Sequence, residues 1–230
     1  MNPSRGIVYV AWGQQHVDEA VVSSRYGQYN KVLFSDRPAP TFNGEVIVLP
    51  SMPATRNVFM KRWYAIKWTP FDTTCLMDTD CVIHNSIDLG FTLAEEYGYS
   101  NTIAPGLMFN WKGKDYVHYS GGIHFWSKGF LDEFFNRLYE FTENNDGYSD
   151  ETAIGVVLRE LKINPAVLPK SFLTIVCGRV HDRPIRVFHT YYPFQFNTIK
   201  CDGIGNDYLV WDGNSDGPVD MTGAVWSQSN

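Results

Sequence analysis

In Pro70-Phe-Asp-Thr-Thr-Cys-Leu-Met-Asp-Thr-Asp-Cys-Val-Ile83, the stretch from residue 73 onward is an apolar, strand-like run broken only by Asp78 and Asp80. The two aspartates stand two positions apart, so on an extended backbone both carboxylates point to one face and can converge on one cation. A hard divalent ion takes such oxygens and keeps positions open for phosphate groups. Thr74-Cys-Leu-Met77 ahead of the pair is apolar, which puts the carboxylates where a buried strand emerges, the place at which open α/β sheets bind ligands. An acidic turn after a strand is the plainer reading of the same tripeptide.

Upstream, Gly6-Ile-Val-Tyr-Val-Ala-Trp-Gly13 is a continuous apolar run of the kind a strand buried on both faces shows in a parallel sheet. A helix is predicted over Val17–Tyr26, a strand over Lys31–Phe34 ending in Ser35-Asp-Arg-Pro38, and a third strand over Glu45–Leu49. Val58, Phe59, Arg62, Trp63 and Ile66 space like the buried stripe of a helix from Ala54 to Trp68. Downstream, helices are predicted over Ile87–Tyr97, Lys128–Thr142 and from Ser149-Asp-Glu-Thr152 onward. Strands are expected near Thr102–Ala104, Gly122–Trp126, Ala166–Leu168 and Arg186–Phe188. Alternating strands and helices predict an α/β fold with a largely parallel central sheet flanked by helices. The expected organisation is one domain over residues 1–212 and a polar tail over 213–230.

The chain has 230 residues, 44% hydrophobic and 15% aromatic, enough for a sizeable core. A formal net charge of -6, with basic residues scattered, argues against a nucleic-acid partner. An acidic protein that binds an anionic diphosphate is expected to use a cation as intermediary. Cys75, Cys81, Cys177 and Cys201 show no zinc-ligand spacing. If Cys75 and Cys81 share one strand, a rise of roughly 3.3 Å per residue holds them about 20 Å apart, too far for a disulfide. Free thiols, the absence of a signal-peptide pattern and the absence of a membrane span predict a cytoplasmic protein.

Apolar strand, Asp-x-Asp and a second short apolar stretch together resemble the metal-binding strand of GT-A glycosyltransferases, and the likeness extends over about the first 190 residues. It implies a single GT-A (Rossmann-like) domain that moves a hexosyl or pentosyl group from a nucleotide-diphosphate sugar to a glycan, protein or small-molecule acceptor. On that resemblance Ala11, Trp12 and Gly13 approach the nucleotide, Asp36 faces the nucleoside, and Thr79 and Lys61 join Asp78 in holding the donor. Lys61 and its neighbour Arg62 lie where the glycogenin-like group, glycosyltransferase family eight, keeps a donor-binding base. Ser120, Gly121 and Gly122 resemble the strand whose small residues meet the donor sugar. Asp150 and Glu151 match an acidic helix start near the sugars and are the candidates for a base. Acids are favoured at a helix start without any such role.

His189 in Val187-Phe-His-Thr190 resembles the late histidine that completes the metal site with Asp78 and Asp80. Imidazole beside oxygen suits Mn2+ better than Mg2+. After that histidine the glycogenin-like group has Gly and then Lys-Pro-Trp, whereas this chain runs Thr190-Tyr-Tyr-Pro-Phe-Gln-Phe196, so the lean toward a retaining reaction is slight. Two rivals share the fold: a sugar-1-phosphate nucleotidyltransferase, and a catalytically silent carbohydrate-binding module. The first usually carries a Gly-rich basic loop after its first strand, and Ala11-Trp-Gly-Gln-Gln-His16 is not one.

Overall fold

The computed structural model describes residues 4–49, 62–63, 66–145, 149–169, 172, 174–175, 187–189, 197–200 and 207–210. The apolar run near the N-terminus is β1 (Arg5–Ala11), followed by α1 (Gln14–Ser24), β2 (Asn30–Ser35) and β3 (Glu45–Val48). Next come β4 (Thr73–Met77), β5 (Cys81–Ile83) and α2 (Asp88–Tyr97). β6 (Tyr99–Trp111) and β7 (Lys114–Ser127) form a long hairpin, and α3 (Leu131–Asn144), α4 (Asp150–Glu160) and β8 (Ala166–Leu168) follow. Shorter strands are β9 (Thr174–Ile175), β10 (Val187–His189), β11 (Asn197–Lys200) and β12 (Asp207–Val210).

The main sheet has seven strands in the order β3-β2-β1-β4-β7-β6-β8. β1 pairs in parallel with β2 and β4, β2 with β3, and β6 with β8, while β7 runs antiparallel between β4 and β6. This is the expected α/β architecture, a largely parallel sheet with helices on its faces. Alternation along β1 explains why its sequence is apolar from Gly6 to Ala11. Ile7, Tyr9 and Ala11 pack with Val17, Ala20 and Val21 of α1 and with Phe91 of α2. Val8 faces the other layer, with Trp63 and with Phe134, Leu138, Ile154 and Val157 of α3 and α4.

The hairpin is much longer than the short strands expected at 102–104 and 122–126. Its outer half carries exposed polar residues from Lys112 to Asp115, so an apolar pattern marks only the inner half. Lys112 and Gly113 both have positive φ, 49° and 75°, the two-residue turn whose twist matches a β-hairpin.

Residues 73–83 do not form one strand. β4 ends at Met77, Asp78–Asp80 make a turn in which the Cys81 amide donates to the Asp78 carbonyl at 3.1 Å, and β5 leaves for a second, three-stranded sheet of order β5-β10-β9. The extended-strand separation expected between Cys75 and Cys81 therefore does not apply. Both thiols are free and buried, burial holds both well above the usual thiol range, and the Cys81 sulfur sits 3.5 Å from the Gly122 carbonyl. The helix expected over 54–68 falls mostly outside the described residues. Its described parts are Arg62 and Trp63, which are helical, and a short 3-10 turn at Ile66–Trp68.

Candidate active site at the carboxyl ends of the strands

Three parallel strands end together. β1 ends at Ala11 and gives way to Trp12 and Gly13, β2 to Asp36, and β4 to the Asp78–Asp80 turn. Gly13 has φ 87°, a backbone state that a side chain strains, and its amide donates to both Asp36 oxygens, at 3.3 and 3.4 Å. Arg37 forks onto the same carboxylate at 3.0 and 2.9 Å, and with the Gly13 amide it holds Asp36 below the usual carboxylate range. Ala11 is buried and Trp12 half-buried against the core.

On the other flank of β4, strand β7 brings its glycines into contact with the turn. The Asp78 amide donates to the Gly122 carbonyl at 3.0 Å, one step beyond the Met77–Ile123 pair. Gly121 is held from both sides: its amide donates to Glu151 at 2.6 Å, and its carbonyl accepts from Arg62 and from His124, each at 2.9 Å. A Cβ at Gly121 would sit 3.0 Å from the Glu151 carboxylate and 3.2 Å from the Arg62 guanidinium, so the absent side chain is what lets these groups close in. Ser120 beside it is buried.

Arg62 ties the two acidic clusters together. Its guanidinium pairs with Asp78 and with Asp150, and Nε reaches Asp150 Oδ2 at 2.9 Å. The Trp63 indole donates to the same Asp150 oxygen at 3.0 Å. Asp150 opens α4, where the Ser149 hydroxyl caps the helix by accepting from the Thr152 amide at 3.4 Å. Burial alone would raise the Asp150 pKa, since only 2% of the residue is exposed. The Arg62 charge and the Trp63 hydrogen bond outweigh burial and hold the carboxyl below its usual range. For Arg62 burial opposes charge and the two aspartates restore it, so the guanidinium stays ionised. Glu151, half-buried, also meets His118 at 3.0 Å.

Behind the glycines lies an uncharged network. His124 is fully buried. Its Nδ1 lies 2.8 Å from the Tyr99 hydroxyl and 2.9 Å from Asn101, and its Nε2 faces the Gly121 carbonyl. Burial, then the Arg62 charge, lowers its pKa to about 3, so the ring is neutral. Because a carbonyl only accepts, Nε2 carries the proton and Nδ1 accepts.

His189 reaches this region through its backbone. β10 pairs antiparallel with β5 and sets His189 against Cys81, the residue after Asp80. Lys61 lies outside the described residues. Among the described residues no three carboxylate, imidazole or thiol side chains converge as a closed metal cage. Asp78 and Asp80 put two carboxylate donors on one turn, the oxygen chemistry that a hard divalent ion takes, and Asp78 is at the same time paired with Arg62. A cavity of about 870 Å³ lies instead at the opposite end of the sheet, lined by Tyr26, Tyr29, Lys31, Phe71 and His84 among others. There Lys31 Nζ closes the chain after α1 by donating to the Gly27 carbonyl at 2.6 Å, so it serves the fold.

The fold is shared with a solved glycosyltransferase. The apo-form GlyE of Streptococcus pneumoniae TIGR4 matches with a TM-score of 0.57 at 11% sequence identity, over 81% of this chain. The chain spans about half of that neighbour's length, 54%. No protein-family model and no curated protein sequence matches it. No helix among the described residues is long and apolar enough to cross a membrane.

Several residues of the cluster carry little signal in the sequence. Arg62 reads as half of a basic pair, yet it is the counter-charge of Asp78 and Asp150. Trp63 and His124 read as core. Glu19 is an acid on the apolar side of α1, between Val17 and Ala20, and that placement marks it out as a buried carboxylate with a task.

Proposed function

We propose that the chain moves a hexosyl or pentosyl group from a nucleotide-diphosphate sugar to an acceptor hydroxyl on a glycan, protein or small molecule. A divalent ion, Mn2+ ahead of Mg2+, would be held by Asp78 and Asp80 with His189 as a third ligand. The observation that carries the reading is the meeting of the Asp78–Asp80 turn with Gly121–Gly122 and Asp150–Glu151 at the carboxyl ends of a glycosyltransferase-like sheet. Free, buried Cys75 and Cys81 accord with a cytoplasmic setting.

The nucleoside end lies along Ala11, Trp12, Gly13 and Asp36, and Thr79 and Lys61 contribute to donor binding. When bound, the ion supplies charge to the diphosphate and so stabilises the departing nucleoside diphosphate. The sugar lies along Ser120, Gly121 and Gly122, the segment that the Asp78 amide, Arg62 and Glu151 all contact. Arg62, ionised and wedged between Asp78 and Asp150, adds a fixed positive charge where negative charge develops. Asp150 is a weak proton acceptor because Arg62 and Trp63 stabilise its anion, so its work is to orient. The base role of an inverting reaction falls to Glu151, whose second oxygen meets the partly exposed His118.

Incubation with Mn2+ and a panel of nucleotide sugars, with and without acceptors, is expected to release nucleoside diphosphate. Pyrophosphate released from a nucleoside triphosphate would indicate a nucleotidyltransferase, and binding without any release a silent module. Asp80→Asn removes one ionised oxygen from the turn. Turnover is expected to fall on the order of 10²–10³-fold, the equivalent of several kcal/mol of charge stabilisation. Unchanged turnover and unchanged metal dependence in this variant would refute the metal site.

A further inference from the structure

The Asp78–Asp80 turn is gripped from outside the sheet by one face of α1. Glu19 and Ser23 stand four residues apart and therefore side by side on that helix. The Ser23 hydroxyl donates to the Cys81 carbonyl, and Glu19 Oε2 accepts from the Thr79 hydroxyl at 2.8 Å. The two contacts fall on either side of Asp80. Glu19 is only 5% exposed, and its carboxylate is further fixed by Gln15 Nε2 at 3.1 Å and His16 Nδ1 at 3.0 Å. A carboxylate buried this deeply is retained where several donors satisfy it. One of those donors is the residue between the two aspartates.

We propose that Glu19 is a positioning residue for the cation site: acting through Thr79, it fixes the turn so that the Asp78 and Asp80 carboxylates are presented together. The inference rests on the metal reading of Asp78 and Asp80 and adds the element that orients them. The Thr79 hydroxyl donates to Glu19, so the side chain between the two aspartates is tied to α1. Partners that orient metal ligands are worth roughly 10–100-fold in affinity. Thr79 is a tip residue of the turn. Its loss leaves Glu19 with Gln15 and His16, so the helix remains anchored.

The test is Mn2+ binding by the purified protein, read by EPR with the metal alone. Thr79→Val and Glu19→Ala are each expected to weaken Mn2+ binding roughly 10–100-fold. Thr79→Ser and Glu19→Gln keep the hydroxyl and the accepting oxygen and should stay within about threefold of the parent. The double variant should be no weaker than either single one, because both remove the same contact. Thermal unfolding of Thr79→Val should match the parent, which separates positioning from folding. Parent-like affinity in Thr79→Val, or weakening in Thr79→Ser equal to that in Thr79→Val, would overturn the inference while leaving the metal site standing. Absence of Mn2+ binding by the parent chain would overturn both.

Discussion

Asp150→Ala is expected to destabilise the fold by about 3 kcal/mol or more, the range found when one partner of a buried ion pair is removed. Asp150 is buried, pairs with Arg62 and accepts from the Trp63 indole. Its removal takes from a guanidinium of which 17% is exposed its strongest partner, leaving it to Asp78, the Gly121 carbonyl and the more distant Glu151, and leaves a buried indole N–H without its acceptor. Urea unfolding measures the effect as a shift in midpoint at constant slope. The control is Arg62→Met combined with Asp150→Leu, which removes both charges and should recover most of the lost stability. A loss below about 1 kcal/mol for the single variant, the range of an exposed pair, would mean that the bridge is solvated.

This bridge joins residues 88 positions apart, and no spacing in the sequence announces it. The sequence makes Asp150 and Glu151 legible as a helix start, because Ser149 and two acids ahead of an apolar stripe satisfy open amides. It cannot say which acid turns inward to meet a charge arriving from another segment. The neighbouring basic residues show the same limit. Periodicity puts Arg62 on the buried stripe with Val58, Phe59 and Trp63, but donor binding was expected of Lys61.

The first strands of the sheet are legible as elements from patterns that are local. β1 is apolar from Gly6 to Ala11 because both faces are covered, and Ser35-Asp-Arg-Pro38 stops β2 where the sheet ends. The Asp-x-Asp segment was harder to read. An apolar run with two intervening aspartates looks the same whether the strand continues or breaks, and here it breaks, since β5 finds its partner in β10, more than 100 positions later. That pairing also brings His189 into register beside the turn, a placement that the sequence suggested only through a family likeness. With the strand broken at Met77, the rule that alternate residues of an extended strand share one face no longer applies to Asp78 and Asp80, which lie instead on one turn.

A second large effect is expected from pH. His124 has an ordinary pKa of 6.5 and a folded value of about 3, lowered by burial and then by Arg62. The unfolded chain takes up a proton below pH 6.5 that the folded chain refuses, so stability is full above that pH and falls as the solution is acidified. The slope is about 1.4 kcal/mol per pH unit, which gives roughly 2 kcal/mol between pH 6.5 and 5 and roughly 5 kcal/mol by the time the folded ring titrates. Carboxylates held low, among them Asp150, Asp36 and Glu95, act with the same sign but only below their ordinary 3.8 to 4.5. The interval from 6.5 to 4.5 therefore separates the histidine from them. Urea unfolding at pH 7, 6 and 5 should show the decline in the parent chain and a much flatter curve in His124→Gln, whose amide can still donate to the Gly121 carbonyl. A flat parent curve, or an equal decline in the variant, would mean that the ring titrates normally. The added proton would go to Nδ1, which could then no longer accept from Asn101, and would set a second positive charge near Arg62, so acid should loosen the strand holding Asp78 before it unfolds the sheet.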